Sequence, residues 1–219
     1  MKKMMFNDRF DLTRAVLEGR KTQTRRLDKK LNALDSQGIK VQIYKFFNEK
    51  YREATSDLRY LENASKTRYG VVVRTVQGKL TEFKPDYRLG KELAVAQRYS
   101  EICSSLFEEW ERNSDWFTKG LSNKMFVRSD LMPHRIKITG VRIERLQDIS
   151  DEDCLAEGIE KEERTDGGHN YTFFDVKRER YIRERTPRDA YARLIDKICG
   201  QGTWGSNPYV WVYNFELIK

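Results

Sequence analysis

Three residues whose side chains can move protons carry the chemistry that this sequence suggests: Lys21, Thr24 and Glu157. A lysine has an ordinary pKa of about 10.4, so it acts as a base at neutral pH only if that pKa falls toward about 7–8. A neutral Lys21 amine could then take a proton from the Thr24 hydroxyl or from a water molecule. Lys21 is therefore a candidate base.

Lys21 lies within a strongly basic segment, residues 18–30, which reads EGRKTQTRRLDKK. The like charges of the arginines in this segment would lower the pKa of a lysine among them, and partial burial would lower it further. Arginines can also clamp a phosphate through two parallel hydrogen bonds. The segment therefore fits a solvated helix end, a phosphate-binding strip or part of a reaction centre. Its candidate substrate-binding or nucleic-acid-binding residues are Arg20, Thr22, Arg25 and Arg26.

The spacing of the candidate residues sets a geometric condition. Side chains three residues apart in a regular strand point to opposite faces, so Lys21 and Thr24 converge only if the backbone turns after Gly19. Glu157 is the last residue before Gly158, at the predicted end of a helix. There the helix dipole disfavours an anion by about 0.3–1 kcal/mol and raises the carboxyl pKa, which suits a proton donor. The alternative is an exposed glutamate without a role.

Composition limits the possible functions. The chain has 219 residues, a formal net charge of +8 and a pI of about 9.3. A basic balance suggests an anionic partner, most often nucleic acid, although many basic proteins bind none. No apolar run approaches the roughly 18 residues of a membrane span, and the N-terminus lacks the pattern of a signal peptide, so we expect a cytoplasmic protein.

Metal and cofactor chemistry have little support in the sequence. Three cysteines lie far apart without a CxxC pair, and the chain has two histidines. These counts argue against a disulfide framework, a structural zinc site and a histidine-based triad. Motifs for dinucleotides, nucleotide phosphates, calcium and serine hydrolases are also missing from the sequence. We expect no metal and no cofactor.

Hydrophobic periodicity predicts a first helix over residues 6–19 and a second over residues 40–66. A β-hairpin with its turn near Gln77 and Gly78 should follow, then a half-buried strand over residues 89–99 and a helix over residues 100–112.

The second half predicts a strand over residues 134–146, with a β-bulge at Gly140 where the apolar alternation changes phase. A helix capped by Ser150 and ended by Gly158 follows. Residues 160–185 show no clear period and predict a loop. A helix over 186–200 and a final aromatic strand complete the chain, which predicts one mixed α+β domain, a small and largely antiparallel barrel decorated by helices.

Four segments resemble proteins with an ASCH domain, most closely the forms found in phages and prophages. They read FNDRFDLTRAVLEGRKTQTRR, YRLGKELAVAQRY, RIKITGVRIERLQDISDEDCLAEGI and WGSNPYVWVYNFELI. The resemblance implies a PUA-like β-barrel in a single domain covering residues 1–219. Its core segments would be about 1–28, 87–102, 124–160 and 186–219, and about 30–86 would be an insertion holding a helix and a hairpin.

The resemblance also implies a function related to RNA or nucleotides. Some small bacterial ASCH proteins are amidohydrolases that remove the acyl group from N4-acetylcytidine with a lysine, a threonine and a glutamate. Motif by motif, these catalytic residues fall on Lys21, Thr24 and Glu157. Other members are reported to cleave single-stranded RNA or to act as binding modules. This chain departs from the small amidohydrolases because it is about twice as long and has an additional predicted helix after Tyr99.

These observations leave several functions open. The first is a hydrolase acting on an N4-acylated cytidine without a metal. The second is a non-catalytic module that binds single-stranded RNA through the basic segment and through aromatic residues such as Trp110 and Trp116. The third is a ribonuclease. A protein partner that binds the 30–86 insertion is a further possibility for which the sequence gives no support.

Overall fold

The structure is a computed structural model that describes residues 1–37, 41–42, 44–47, 50–53, 71–74, 80–102 and 107–218. Between residues 41 and 82 only the backbone is described. The strands are β1 (Lys3–Met4), β2 (Gln23–Leu27), β3 (Val41–Gln42), β4 (Tyr44–Phe47), β5 (Lys50–Glu53), β6 (Val71–Arg74), β7 (Leu80–Phe83), β8 (Glu92–Val95), β9 (Arg135–Arg145), β10 (Glu160–Glu163), β11 (His169–Asp175), β12 (Arg180–Glu184) and β13 (Tyr209–Ile218). The α-helices are α1 (Leu12–Leu17), α2 (Lys29–Ser36), α3 (Glu109–Arg112), α4 (Asp115–Ser122), α5 (Asp151–Ala156), α6 (Pro187–Cys199) and α7 (Thr203–Ser206).

A five-stranded sheet in the order β1-β8-β9-β13-β2 carries the core. Its strands pair antiparallel except for β1 and β8, which are parallel. The final strand lies between β9 and β2, and its residues 210–213 are all buried, as expected for a strand covered on both faces. The register of β13 against β9 shifts between Asn214 and Phe215, opposite Gly140, so the predicted bulge is confirmed.

The α+β class is confirmed, but the sheet is not closed into the barrel that the sequence predicted. Closure would require the edge strands β1 and β2 to pair. Within the described residues β1 pairs with β8 and β2 pairs with β13, and neither edge pairs with the other. At two residues, β1 is too short to form a long ladder.

A second, three-stranded antiparallel sheet in the order β10-β11-β12 replaces the loop predicted over residues 160–185. That prediction was wrong because charged residues occupy the exposed positions and mask a short apolar pattern. Phe173 on β11 and Ile182 on β12 pair in register and are both buried. The Phe173 ring packs edge-on against Phe10, with 5.7 Å between ring centroids.

The helix predicted over residues 40–66 is wrong where the structure describes the chain. Residues 41–53 contain the strands β3, β4 and β5, of which β4 and β5 form an antiparallel pair. Aromatic residues recur along this stretch, and aromatic side chains favour strands over helices. Residues 54–66 lie outside the described residues.

The hairpin predicted in the same region is confirmed by the antiparallel pairing of β6 with β7. Its turn, near Gln77 and Gly78, lies outside the described residues. Strand β6 also pairs with β3, so these three strands form a sheet of their own.

The helices of the core follow their capping signals. Ser150 accepts a hydrogen bond from the backbone N–H of Asp153 at the start of α5, and Thr186 caps α6 in the same way. The predicted first helix is instead a 3-10 turn, Asp8–Phe10, followed by α1, because Asp11 between them has a φ of 55°.

The helix predicted over residues 100–112 is also interrupted. The chain forms a 3-10 turn at Tyr99–Glu101, and Ile102 is extended, with φ −108° and ψ 151°. Helix α3 then covers four residues, while residues 103–106 lie outside the described part. No helix within the described residues is long and apolar enough to cross a membrane.

Candidate functional site

The backbone turns between α1 and β2, and this turn decides where Lys21 points. Gly19 has a φ of 75°, a conformation that glycine adopts without a steric penalty. The N–H of Lys21 then donates to the carbonyl of Ala15 at 2.9 Å, and the N–H of Thr22 donates to the carbonyl of Ala156 at 2.9 Å. Lys21 therefore precedes the strand, and the alternation rule that would separate it from Thr24 does not apply.

Lys21 and Glu157 form a buried ion pair. The Lys21 Nζ lies 2.6 Å from the Glu157 Oε2 and donates to the Glu157 backbone oxygen at 2.7 Å. The two residues are 2% and 4% exposed. Glu157 is held in place because α5 ends at Ala156 and Gly158, with a φ of 102°, turns the chain away. The helix end thus offers both a carbonyl and a carboxylate to one amine.

Thr24 lies with this pair at the wall of one cavity, whose volume is about 210 Å³. The other walls come from residues 5–7, from α6 and from the neighbouring arginines. Thr24 is 5% exposed. Within the described residues its hydroxyl makes no hydrogen bond, so it is available to a molecule in the cavity.

The pKa of Lys21 lies below its ordinary value. Burial is the largest cause, because a charged amine loses its hydration. The charge and hydrogen bond of Glu157 raise the pKa, while Arg26 and Arg25 lower it further. The sequence predicted a lowered Lys21 pKa, but burial contributes more to the lowering than the neighbouring arginines do. Arg20 instead forms ion pairs with Glu18 and Glu160 at the surface.

The contact brings a proton donor and a proton acceptor together. A proton could pass between the Lys21 amine and the Glu157 carboxylate, whose atoms Nζ and Oε2 lie 2.6 Å apart. The arrangement therefore contains the two kinds of group that general acid–base chemistry uses.

Arg25 is buried and fully engaged by the protein. Its Nη2 lies 2.6 Å from Glu144 and 2.7 Å from Asp153, and its Nη1 donates to the Glu157 Oε1 at 3.2 Å. Its Nε also donates to Glu144, at 3.1 Å. Burial disfavours the charged guanidinium, but these carboxylates outweigh that effect and hold the Arg25 pKa above its usual range. Arg25 thus orients the Glu157 carboxylate through Oε1, the oxygen that is not bonded to the Lys21 amine.

Several residues of this network were not predicted. Gln23 donates to Asp153 at 3.0 Å and to Asn214 at 2.7 Å, and Arg142 donates to Glu144 at 2.8 Å. Two spacing signals could have found part of it. Asp153 lies four residues before Glu157, on the same side of a helix, and Gln23 alternates with Arg25 along β2.

The remaining predicted residues have different surroundings. Thr22 is exposed, and its backbone joins α5 and β13 to the turn. Arg26 lines the cavity, donates through Nη2 to the Met5 carbonyl, and lies 5.9 Å from the centroid of the Phe6 ring. Its Nε is buried and has no hydrogen-bond partner among the described residues. The structure therefore brings together Lys21, Thr24, Arg25, Arg26 and Glu157, and leaves Arg20 and Thr22 outside.

One of the two aromatic residues predicted to stack on RNA, Trp116, is less available than expected. Trp116 is partly buried, and its ring centroid lies 5.6 Å from that of Tyr99. The Arg128 guanidinium lies 5.3 Å from the centroid of the Trp116 ring. The side chain of Trp110 lies outside the described part of the structure. Lys29 and Lys30, at the start of α2, are exposed cations of the basic segment.

No cluster of three or more histidine, cysteine, aspartate or glutamate residues in the described part is arranged to hold a metal ion. Comparisons with protein families, with curated proteins and with solved structures found no match to this chain. The geometry of the site is therefore the basis for a functional proposal.

Proposed function

We propose that this protein is a hydrolase of the ASCH type that removes the acyl group from N4-acylated cytidine or a closely related nucleoside, without a metal. The observation that carries the proposal is the 2.6 Å contact between the Lys21 amine and the Glu157 carboxylate at the wall of a cavity that also holds Thr24. These are the three residues that the resemblance selects, and they come from the two halves of the chain.

The lysine supplies the base. Its lowered pKa increases the fraction of neutral amine at neutral pH, as a general base requires. The neutral Lys21 takes a proton from the Thr24 hydroxyl or from a water molecule, and the resulting oxygen nucleophile attacks the acyl carbonyl carbon. If Thr24 attacks, an acyl-threonine ester forms and water hydrolyses it in a second step.

The glutamate supplies the acid. When the tetrahedral intermediate collapses, the bond between the acyl carbon and N4 breaks and N4 leaves as the amine of cytidine. Glu157, protonated within the pair, donates the proton that this nitrogen needs. The overall reaction consumes one water molecule and yields cytidine and a carboxylic acid. Lys21 and Glu157 exchange one proton and return to their starting state.

The arginines provide the positive field at the acyl oxygen. Arg26 lines the cavity, so its positive charge can stabilise an oxyanion. The donors of Arg25 are held by three carboxylates, so its contribution is charge and orientation of Glu157. Arg20 lies in surface ion pairs and would bind a substrate only by leaving them.

The size of the cavity favours a small ligand over a nucleic-acid strand. A volume of about 210 Å³ lies below the roughly 300–1,000 Å³ range that is usual for drug-sized ligands. Such a space suits a base or a nucleoside.

RNA binding without chemistry is the second candidate, and the net charge of +8 with exposed Lys29 and Lys30 supports it. It predicts an affinity for single-stranded RNA that falls with salt at a slope of about −0.7 per neutralised phosphate. A ribonuclease is the third candidate, distinguished from the second by RNA degradation in EDTA that is lost in Lys21→Ala while binding is kept.

The deciding experiment is hydrolysis of N4-acetylcytidine, followed as released cytidine in the presence of EDTA. Wild-type protein should release cytidine, and Lys21→Ala should be slower by about 10²–10⁴-fold, the usual contribution of a general base. Lys29→Ala is the matched control, since it removes an exposed lysine from the same basic segment. Wild-type protein without turnover, indistinguishable from Lys21→Ala, would remove the hydrolase proposal.

A further inference from the structure

Tyr191 carries an unused hydroxyl at the wall of the same cavity. The residue is 2% exposed, and its hydroxyl is buried without a hydrogen-bond partner among the described residues. Buried tyrosine hydroxyls usually find a partner, because leaving one unpaired forfeits its hydration without compensation. A buried donor left unpaired in a cavity wall is a candidate contact for a ligand.

The surroundings fix the position of this hydroxyl. The Arg25 guanidinium lies 5.9 Å from the centroid of the Tyr191 ring, and the Trp204 ring packs edge-on at 6.2 Å. Tyr191 lines the cavity together with Lys21 and Glu157. Burial raises the Tyr191 pKa well above its ordinary value, so the group stays a neutral donor throughout the working pH range.

A second unpartnered donor lies in the same wall. The Arg26 Nε is buried and makes no hydrogen bond within the described residues, and Arg26 lines the cavity together with Tyr191. Two orphan donors select for a ligand with two acceptors. A cytosine ring offers such a pair in its carbonyl oxygen, O2, and its ring nitrogen, N3.

We propose that Tyr191 is a substrate-binding residue whose hydroxyl donates to the carbonyl oxygen of a pyrimidine, with the Arg26 Nε–H donating to an adjacent acceptor. This assignment rests on the proposed function, which it extends from the reacting bond to recognition of the base. It predicts that neutral pyrimidine nucleosides with a 2-carbonyl group bind, and that ligands lacking this acceptor are discriminated against.

The test is Tyr191→Phe, which removes one oxygen and keeps the ring contacts. Dissociation constants for cytidine and 2-thiocytidine are measured by calorimetry, together with KM and kcat for N4-acetylcytidine. Loss of one neutral hydrogen bond should weaken cytidine binding and raise KM by about 3- to 10-fold. The wild-type preference for cytidine over 2-thiocytidine, a weaker acceptor, should shrink in the variant.

Tyr213→Phe is the matched control, because Tyr213 is equally buried but its oxygen accepts a hydrogen bond from the backbone N–H of Asp86 at 3.0 Å. That variant should have a lower Tm and unchanged cytidine binding. Tyr191→Phe should have an equal or higher Tm with weaker binding, a combination that a structural role does not produce.

Each outcome decides the assignment. Turnover by the wild type with an unchanged KM, Kd and ligand preference in Tyr191→Phe would overturn the role of Tyr191 and leave the hydrolase standing. Cytidine binding that depends on Tyr191 in a wild type without turnover would keep the recognition site and remove the hydrolase. Absence of both binding and turnover in the wild type would overturn both.

Discussion

Two buried carboxylates in the part of the chain that the structure describes are paired with cations, and they differ in what surrounds them. Glu157 meets Lys21 at a cavity, and the Lys21 side chain is 1% exposed. Asp175, which is fully buried, accepts hydrogen bonds from Arg9 at 3.3 Å and 3.2 Å, and the Arg9 side chain is 39% exposed. Both pairs join distant parts of the chain, but only one presents an ionisable base to a space that a ligand can enter.

The choice of cation separates the two pairs. Arginine does not lose its proton in proteins, whereas a buried lysine can. Arg9 therefore gives Asp175 a permanent counter-charge and fastens the 3-10 turn at Asp8–Phe10 to β11. Lys21 gives Glu157 a partner that can exchange a proton with it. A buried ion pair by itself indicates stability, whereas the lysine, the cavity and the unpaired donors at Glu157 are what support the proposed chemistry.

Exchanging the cations gives the largest expected effect. Lys21→Arg keeps a positive charge beside Glu157 but cannot supply a neutral base, so hydrolysis of N4-acetylcytidine should fall by about 10²–10⁴-fold. The reciprocal variant Arg9→Lys should keep wild-type kcat and KM, because Asp175 is not in the cavity wall. Comparable activity in Lys21→Arg and wild type would show that the lysine contributes only its charge.

Removal of the buried arginine should give the next largest effect, on stability. Arg25→Met leaves Glu144, Asp153 and Glu157 with one counter-ion fewer, and breaking a buried charge network costs about 3–5 kcal/mol of unfolding free energy. Urea denaturation measures this value. A loss below about 1 kcal/mol would contradict this expectation, because it would equal the contribution of an ordinary exposed ion pair.

The two pairs should also respond to opposite ends of the pH scale. The Lys21 pKa is lowered, so above that lowered value and up to its ordinary 10.5 the unfolded chain binds more protons than the native one. Stability should therefore rise with pH in this window, and Lys21→Met should abolish the rise. Each unit of lowering corresponds to about 1.4 kcal/mol.

Asp175 should make the stability of the protein depend on pH in the acid range. Burial would raise its pKa, but hydrogen bonding and charge from Arg9 outweigh burial and hold the pKa below the ordinary 3.8. Its contribution is present above pH 3.8 and is lost as the pH falls through the lowered pKa. Denaturation series at different pH, for wild type, Lys21→Met and Asp175→Asn, measure both ends. Parallel curves for all three proteins would contradict the contrast.

The smallest effect is expected at the surface of the basic segment. Arg20 forms ion pairs with Glu18 and Glu160 in which every side chain is at least 35% exposed. Arg20→Ala should lower stability by about 0.2–1 kcal/mol and leave kcat unchanged. A large loss of turnover in this variant would extend the site beyond the cavity to the Arg20 position.

Local signals predicted the elements that position the site. The Gly19 turn, the Ser150 cap and the glycine after Glu157 are each set by neighbours in sequence, and so is the bulge at Gly140. These signals operate within a few residues, which is why α5, α6, β9 and β13 appear where they were expected. The prediction of Lys21, Thr24 and Glu157 as a group came from the family resemblance, and the structure brings all three to one cavity.

The remaining features depend on long-range packing, which the sequence pattern does not carry. Arg25 was predicted to bind a substrate or a nucleic acid, yet it is buried and its guanidinium is held by carboxylates from β9 and α5. The second sheet was missed because its few apolar residues, such as Phe173 and Ile182, become recognisable as core positions only when the strands pair. The Tyr191 hydroxyl could not be recognised as unpaired before its neighbours were known.

The cavity walls come from residues 5–7 and 21–27 at one end of the chain and from 157 and 191–199 toward the other. During synthesis on the ribosome, residues 5–7 and 21–27 emerge first, and the cavity cannot close until α6 has followed. A nascent chain halted before Pro187 would lack that wall. The cavity can therefore form only after α6 has been synthesised.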